Sequence, residues 1–222
     1  MPKMGPGAIQ PPKIVMFCLD WSLSMLSQDT GTALSRFATC VACVQRIMTD
    51  QVQNHDLVGI VGFGASVETV VLPTAIGLGR EKINARISSL QAQTLGGTCF
   101  FDAVGQCLQL LAQPGVAGPE SPRWLVCLTD GDDLGSRREN ARGEQVNRML
   151  DDGVAANLNM IMITVGRLKE ANLRVIDSWV ERVIAAGGFG RHLSERNAAA
   201  ITGAFEVVAE VLSSDVGGAT EC

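Results

Sequence analysis

The chain has 222 residues, 46% of them hydrophobic, and carries 18 Lys and Arg against 23 Asp and Glu for a net charge of −5. That length suits one domain burying roughly 70% of its unfolded surface, and the scattered, acidic charge excludes the basic footprint of a nucleic-acid binder. No apolar run approaches the ~20 residues of a membrane span and no secretory signal is evident near the start, so the chain reads as soluble and intracellular, in the cytoplasm.

Residues 1–12 contain Pro2, Pro6, Pro11 and Pro12 with Gly5 and Gly7, and read as a flexible segment. Ile14–Leu19 is apolar at every position, as in a strand covered on both faces. Directly behind it stands Asp20-Trp21-Ser22-Leu23-Ser24. Leu34, Phe37, Ala38, Val41 and Met48 then recur at helical spacing. Leu57–Gly62 reads as a second buried strand, and the short glycine-containing connection Gly62-Phe63-Gly64-Ala65-Ser66 leads into Val67–Leu72, which should fold back antiparallel at a sheet edge. Gly62-Phe63-Gly64 is not a dinucleotide loop, because it lacks the third glycine and leads into a strand.

A weak helical stretch covers Glu81–Leu90. Gly96-Gly97-Thr98 is a glycine turn before a helix that has Asp102 in its first turn and Val104, Cys107, Leu108 and Leu111 on one face. Gln113–Arg123, rich in Pro and Gly, is a loop, and Trp124–Thr129 is a strand closing on Thr129-Asp130-Gly131. A second weak helix covers Glu139–Leu150. Leu158–Val165 is a further strand, with a weaker one near Arg191–Leu193. Leu173, Ile176, Val180, Val183 and Ile184 share one helix face, and Ile201, Ala204, Phe205, Val208 and Leu212 another. Residues 213–222 are small and polar and read as a flexible tail.

Strands alternating with amphipathic helices predict an α/β fold: a single doubly wound, Rossmann-like domain over residues 13–212, with a central, mostly parallel sheet, one antiparallel edge strand and helices on both faces. The cysteines number seven and sit largely within strand-like and helical patterns, so they read as small hydrophobes rather than a disulfide framework. Cys40 and Cys43 lie mid-helix without a second pair, which argues against a redox or zinc half-site. His55 and His192 have no carboxylate or cysteine at metal-ligand spacing.

Three pieces carry the chemistry. Asp20, Ser22 and Ser24 follow the first strand, Thr98 follows its glycine pair, and Asp130 follows the strand Trp124–Thr129. Two of the pieces stand at carboxyl ends of predicted parallel strands, where open α/β sheets place their ligands. All five side chains offer hard oxygen donors of the kind a Mg²⁺-sized cation prefers. Taken singly, each has a plain structural use: Asp20 and Ser22 can cap a helix, Thr98 can be an N-cap, and Asp130 can hold a turn before Gly131. The set in this order is what points to a cation.

In this order the motifs resemble the metal-ion-dependent adhesion site of von Willebrand factor type A domains, with the resemblance running from about Lys13 to Leu212. It implies a Mg²⁺, with Mn²⁺ or Ca²⁺ as alternatives, held by the hydroxyls of Ser22, Ser24 and Thr98, with Asp20 and Asp130 acting directly or through water. It also implies a protein-interaction module rather than an enzyme. Hydroxyls are neutral, so such an ion keeps much of its charge and an exchangeable position for a partner's Asp or Glu side chain. The expected partner is thus an acidic protein surface, and the domain a monomer or part of a larger protein or complex.

Asp102 and Asp132 are placed around this set, with Gly97 and Trp21 at its rim. Asp133 extends the acidic cluster, and Phe100 and Phe101 flank the ligands. The competing readings are a Mg²⁺-dependent phosphatase-like hydrolase, with Asp20 as nucleophile, and a scaffold of the same fold that binds through a metal-independent face. The hydrolase needs a second carboxylate two residues after the nucleophile as acid and base, where Ser22 stands.

Overall fold

A computed structural model describes residues 11–92, 97–116 and 118–213. The expected flexible segments lie almost wholly outside these residues, as does Gly96. Six strands form one sheet in the order β3-β2-β1-β4-β5-β6. They are β1 (Ile14–Asp20), β2 (Leu57–Phe63), β3 (Val67–Ala75), β4 (Arg123–Thr129), β5 (Leu158–Val165) and β6 (Gly190–Glu195). Every neighbouring pair is parallel except β2 and β3, which form the antiparallel edge hairpin.

The helices are α1 (Arg36–Asp50), α2 (Arg80–Ser88), α3 (Phe100–Leu111), α4 (Glu144–Met149), α5 (Glu170–Ala185) and α6 (Ile201–Ser213). Alternate β1 residues feed opposite layers, as the two-residue strand period requires. Val15, Phe17 and Leu19 pack with α1, α2 and α6, while Ile14, Met16 and Cys18 pack with α3, α4 and α5. A strand covered on both faces has no polar side, which explains its unbroken apolar run.

Just before β1, Lys13 Nζ donates to the carbonyl of Leu212 near the end of α6 at 3.2 Å, and its backbone N–H donates to Asp56. Among the described residues no helix is long and apolar enough to cross a membrane.

Three sequence expectations shift in detail. Leu34 is exposed and precedes α1, because Ser35 caps that helix by accepting the Ala38 N–H. The buried face is therefore Phe37, Cys40, Val44, Ile47 and Met48. On α5 the core stripe is Ile176, Trp179, Val180 and Val183, and Ile184 turns outward. The single helix expected over Glu139–Leu150 is instead a 3₁₀ turn, then α4, then a π-turn at Leu150–Val154. Gly143 breaks it in a left-handed conformation (φ +71°), and the Trp179 ring lies where its side chain would be.

Cys18, Cys107 and Cys127 meet inside the sheet–α3 layer and are free thiols that burial pushes up in pKa. His192, without a partner nearby in sequence, bridges Asp177 of α5 (2.6 Å) and Thr164 of β5 (2.9 Å).

Gly62 lies directly beneath the Trp21 ring, so a methyl there would fall inside the indole. Gly62→Ala is expected to destabilise the fold by about 1–3 kcal/mol through overpacking. Urea denaturation followed by tryptophan fluorescence measures it, and an unchanged midpoint would contradict the packing described.

Candidate functional site

The chain runs outward from β1 through β2 to β3, then returns to place β4 on the other side of β1. The crevice at the carboxyl ends of β1 and β4 is thus the topological switch point of the sheet. β1 ends on Asp20 and β4 on Thr129, and the next residue is Asp130.

Asp20 is fully buried. Its Oδ1 accepts the Ser22 backbone N–H at 2.8 Å, and its Oδ2 accepts the Thr129 hydroxyl at 2.7 Å. Burial, with Asp130 nearby, pushes its carboxyl up to about 6 even though these hydrogen bonds pull the other way.

The Ser22 and Ser24 hydroxyls stand 3.1 Å apart, and Ser24 donates to Asp130 Oδ1 at 2.6 Å. These contacts join Ser22, Ser24 and Asp130 in one hydrogen-bonded row above Asp20. Thr98 is buried, with Oγ1 near Gly131, the residue that follows Asp130. Its carbonyl accepts the N–H groups of Leu134 and Gly135. Gly97 has φ +123°, and a Cβ there would meet the Ala65 backbone at 3.1 Å, so the turn delivering Thr98 can pack against the β2–β3 hairpin only with glycine.

The neighbouring acids are tied to loops. Asp102 accepts the Arg137 N–H and the Asn140 side-chain amide, each at 3.0 Å, and pairs with the Arg137 guanidinium. Asp132 accepts the Lys169 N–H and the Asn172 amide at the start of α5. Asp133 accepts the Phe101 N–H at the start of α3, and burial raises its carboxyl pKa. None of these hydrogen bonds reaches the oxygen row. Trp21 is buried with its indole N–H unpartnered, and Phe100 and Phe101 pack against Trp179. The exposed apolar side chains on the crevice loops are instead Leu23, Leu26 and Leu134.

Arg36, the first residue of α1, was not among the sequence candidates. Its Nη1 donates to Asp130 Oδ2 at 2.6 Å, while Nε and Nη2 form a two-pronged contact with Asp29 at 2.8 and 2.5 Å. Asp29, then Asp130, raise the guanidinium's already high pKa. No local spacing signals this contact, because Arg36 and Asp130 stand 94 residues apart.

Fold and crevice together define an open α/β domain with a cluster of side-chain oxygens at its switch point. The family model for the von Willebrand factor type A domain matches residues 15–132, and the chain belongs to that family, a known protein-interaction module. No curated protein matches the sequence.

Solved structures share the fold at low identity. The PilB minor pilin from Streptococcus sanguinis is 18% identical, with a TM-score of 0.66 over 96% of this chain and 65% of that one. A von Willebrand factor type A protein from Catenulispora acidiphila is 14% identical, with a TM-score of 0.64 over 91% and 43%. The mussel byssus proximal thread matrix protein 1, solved with a zinc-occupied metal-ion-dependent adhesion motif, is 13% identical, with a TM-score of 0.62 over 91% and 46%. The chain thus spans less than two thirds of the length of each of these neighbours.

Asp102→Ala would orphan the fully buried Asn140 amide and free the Arg137 loop. The expected loss of stability is about 2–3 kcal/mol. Chemical denaturation measures it, and Asp102→Asn, which keeps an acceptor, should lose less.

Proposed function

We propose that this chain is a cation-dependent docking module, in which Asp20, Ser22, Ser24, Thr98 and Asp130 hold a divalent ion and a partner protein's Asp or Glu side chain completes its shell. The observation that carries the reading is the hydrogen-bonded row Ser22, Ser24 and Asp130 standing over a fully buried Asp20 at the switch point.

The donor chemistry fits a small hard cation. Among the described residues no three His, Cys, Asp or Glu side chains group as a metal site. A cluster built mainly from hydroxyls, with two carboxylates, is an oxygen set that favours Mg²⁺ or Mn²⁺, with Ca²⁺ also admissible. Asp20 is a fully buried acid beside Asp130, and the groups that donate to it, the Ser22 N–H and the Thr129 hydroxyl, are both neutral. A cation would relieve that. The mussel protein's zinc-occupied motif supports the reading by likeness of fold.

Each side chain has a distinct task in this proposal. Asp20 spends both oxygens on Ser22 N–H and Thr129, so it orients the serine loop and supplies charge from beneath. Ser24 donates its proton to Asp130 and accepts the Ser22 hydroxyl, and so keeps one lone pair for an ion. Thr98 closes the third side from the glycine turn. When bound, an ion would supply Lewis-acidic charge to a partner's carboxylate oxygen. Exposed Leu23, Leu26 and Leu134 offer apolar contact around that acidic residue.

The same geometry disfavours turnover. Ser22 stands where an aspartyl-phosphate mechanism needs its acid–base carboxylate, and its hydroxyl is committed to the row with Ser24.

Four measurements test the proposal. Ser24→Ala should weaken Mg²⁺ or Mn²⁺ binding about tenfold or more in calorimetric titration, with a stability loss of about 1–3 kcal/mol because it leaves the buried Asp130 Oδ1 without its donor. Partners captured in Mg²⁺ should be lost in EDTA, and equal recovery would remove the ion from the mechanism. Metal-dependent hydrolysis of p-nitrophenyl phosphate, abolished by Asp20→Asn, would favour the hydrolase instead. At a Mg²⁺ concentration equal to its dissociation constant, the ion should stabilise the fold by only about 0.4 kcal/mol, read as a small melting shift. A large shift would mean a buried structural ion.

A further inference from the structure

Asp130 divides its two oxygens between different partners. Oδ1 accepts the Ser24 hydroxyl within the row, and Oδ2 accepts Arg36 Nη1, each at 2.6 Å. The Asp130 side chain is fully buried, and that of Arg36 is only 18% exposed, so water screens this pair weakly. The guanidinium cannot give up its charge. Its Nε and Nη2 are held by Asp29, which is half exposed and, among the described residues, reaches the site through Arg36. Three elements thus meet on one cation: the loop before α1, the start of α1 and the end of β4.

Building on the cation-dependent reading above, we infer that Arg36 sets how much positive charge the bound ion leaves for its partner. By drawing on the charge of Asp130, it makes the site hold metal less tightly and the incoming carboxylate more tightly. The reason lies in the makeup of the cluster. Ser22, Ser24 and Thr98 are neutral, and Asp20 already spends both oxygens on hydrogen bonds. Asp130 is therefore the main anionic donor that an ion beside Ser24 can draw upon, and Arg36 holds its far oxygen. A carboxylate shared with a guanidinium donates less to a neighbouring ion than a free one, and the ion then attracts an external acid more strongly.

A second consequence concerns selectivity. An ion left more positive by this sharing favours an anionic ligand over a neutral one such as an amide, so an Asp or Glu on the partner should outcompete Asn or Gln. Arg36 is in this account a positioning and charge-setting residue, since it acts through Asp130.

A purely structural Arg36 makes a different forecast. If it only tied the loop before α1 to the helix, its loss would lower thermal stability and move metal and ligand affinity in the same direction, or neither. The charge-setting account requires the two affinities to move in opposite directions.

The test uses Mn²⁺ as the metal and acetate as the carboxylate, with acetamide as the neutral control. Calorimetry reads Mn²⁺ binding, and water-proton relaxation reads displacement of metal-bound water by acetate. In Arg36→Gln, Mn²⁺ should bind about tenfold more tightly and acetate about tenfold more weakly, the scale of one neighbouring charge removed from a partly buried site. Arg36→Lys, which keeps the charge, should lie within about threefold of the original chain on both.

Asp29→Asn supplies a second route through an exposed residue, and covers the case in which Arg36→Gln does not fold. Freeing the guanidinium for Asp130 should weaken Mn²⁺ and tighten acetate. Affinities that fall together, or stay unchanged, in either variant overturn the inference while leaving the metal site standing. Absence of Mn²⁺ binding in the unaltered chain instead overturns the cation-dependent reading itself, so the two failures are distinct.

Discussion

The structure turns on one buried carboxylate. Asp20 ends the central strand β1 with no exposure to solvent, and an ionised acid in that position costs several kcal/mol unless its oxygens are satisfied. One oxygen is satisfied by the next loop, through Ser22 N–H, and the other by the neighbouring strand, through Thr129. Meeting that requirement fixes how β4 ends beside β1 and where the serine loop turns. It also sets which oxygens face the crevice. The Gly62 and Trp21 contact guards the same corner from the β2 side.

Around that corner the acidic residues divide into two groups. Asp102, Asp132 and Asp133 turn inward to hold a loop or the start of a helix, giving the crevice a rigid frame. Asp20 and Asp130 remain at the crevice, the second compensated by Arg36 and the first only by neutral donors. A net charge of −5 is thus not an even acidic coat, because a fair part of it is spent on internal ties.

In the proposed function this division has a purpose. A site made of hydroxyls and one shared carboxylate is suited to holding an ion without neutralising it, which a capture module for acids needs and a purely structural metal site does not. Leu23, Leu26 and Leu134 are exposed on the same loops, so charge and apolar contact are offered together.

Periodicity and composition by themselves determine much of the architecture. Apolar runs without a polar face announce strands buried on both sides, so β1, β2, β4 and β5 are legible to within a residue or so, whereas the antiparallel edge strand is legible in place and direction but runs three residues past the expected Leu72, to Ala75. The order Asp20, Ser22, Ser24, Thr98, Asp130 was equally legible, because short-range spacing places each piece at a strand end or a glycine turn. Only the tertiary structure decided the rest. The break at Gly143 is imposed by the Trp179 ring arriving from another helix, and the outward turn of Ile184 follows from which α5 stripe meets the sheet. The Arg36 and Asp130 pair joins residues far apart in the chain, and so does the Thr129 hydroxyl held by Asp20. Local sequence encodes what one element does by itself. Which charge meets which depends on how the elements are brought together, and that is settled by packing.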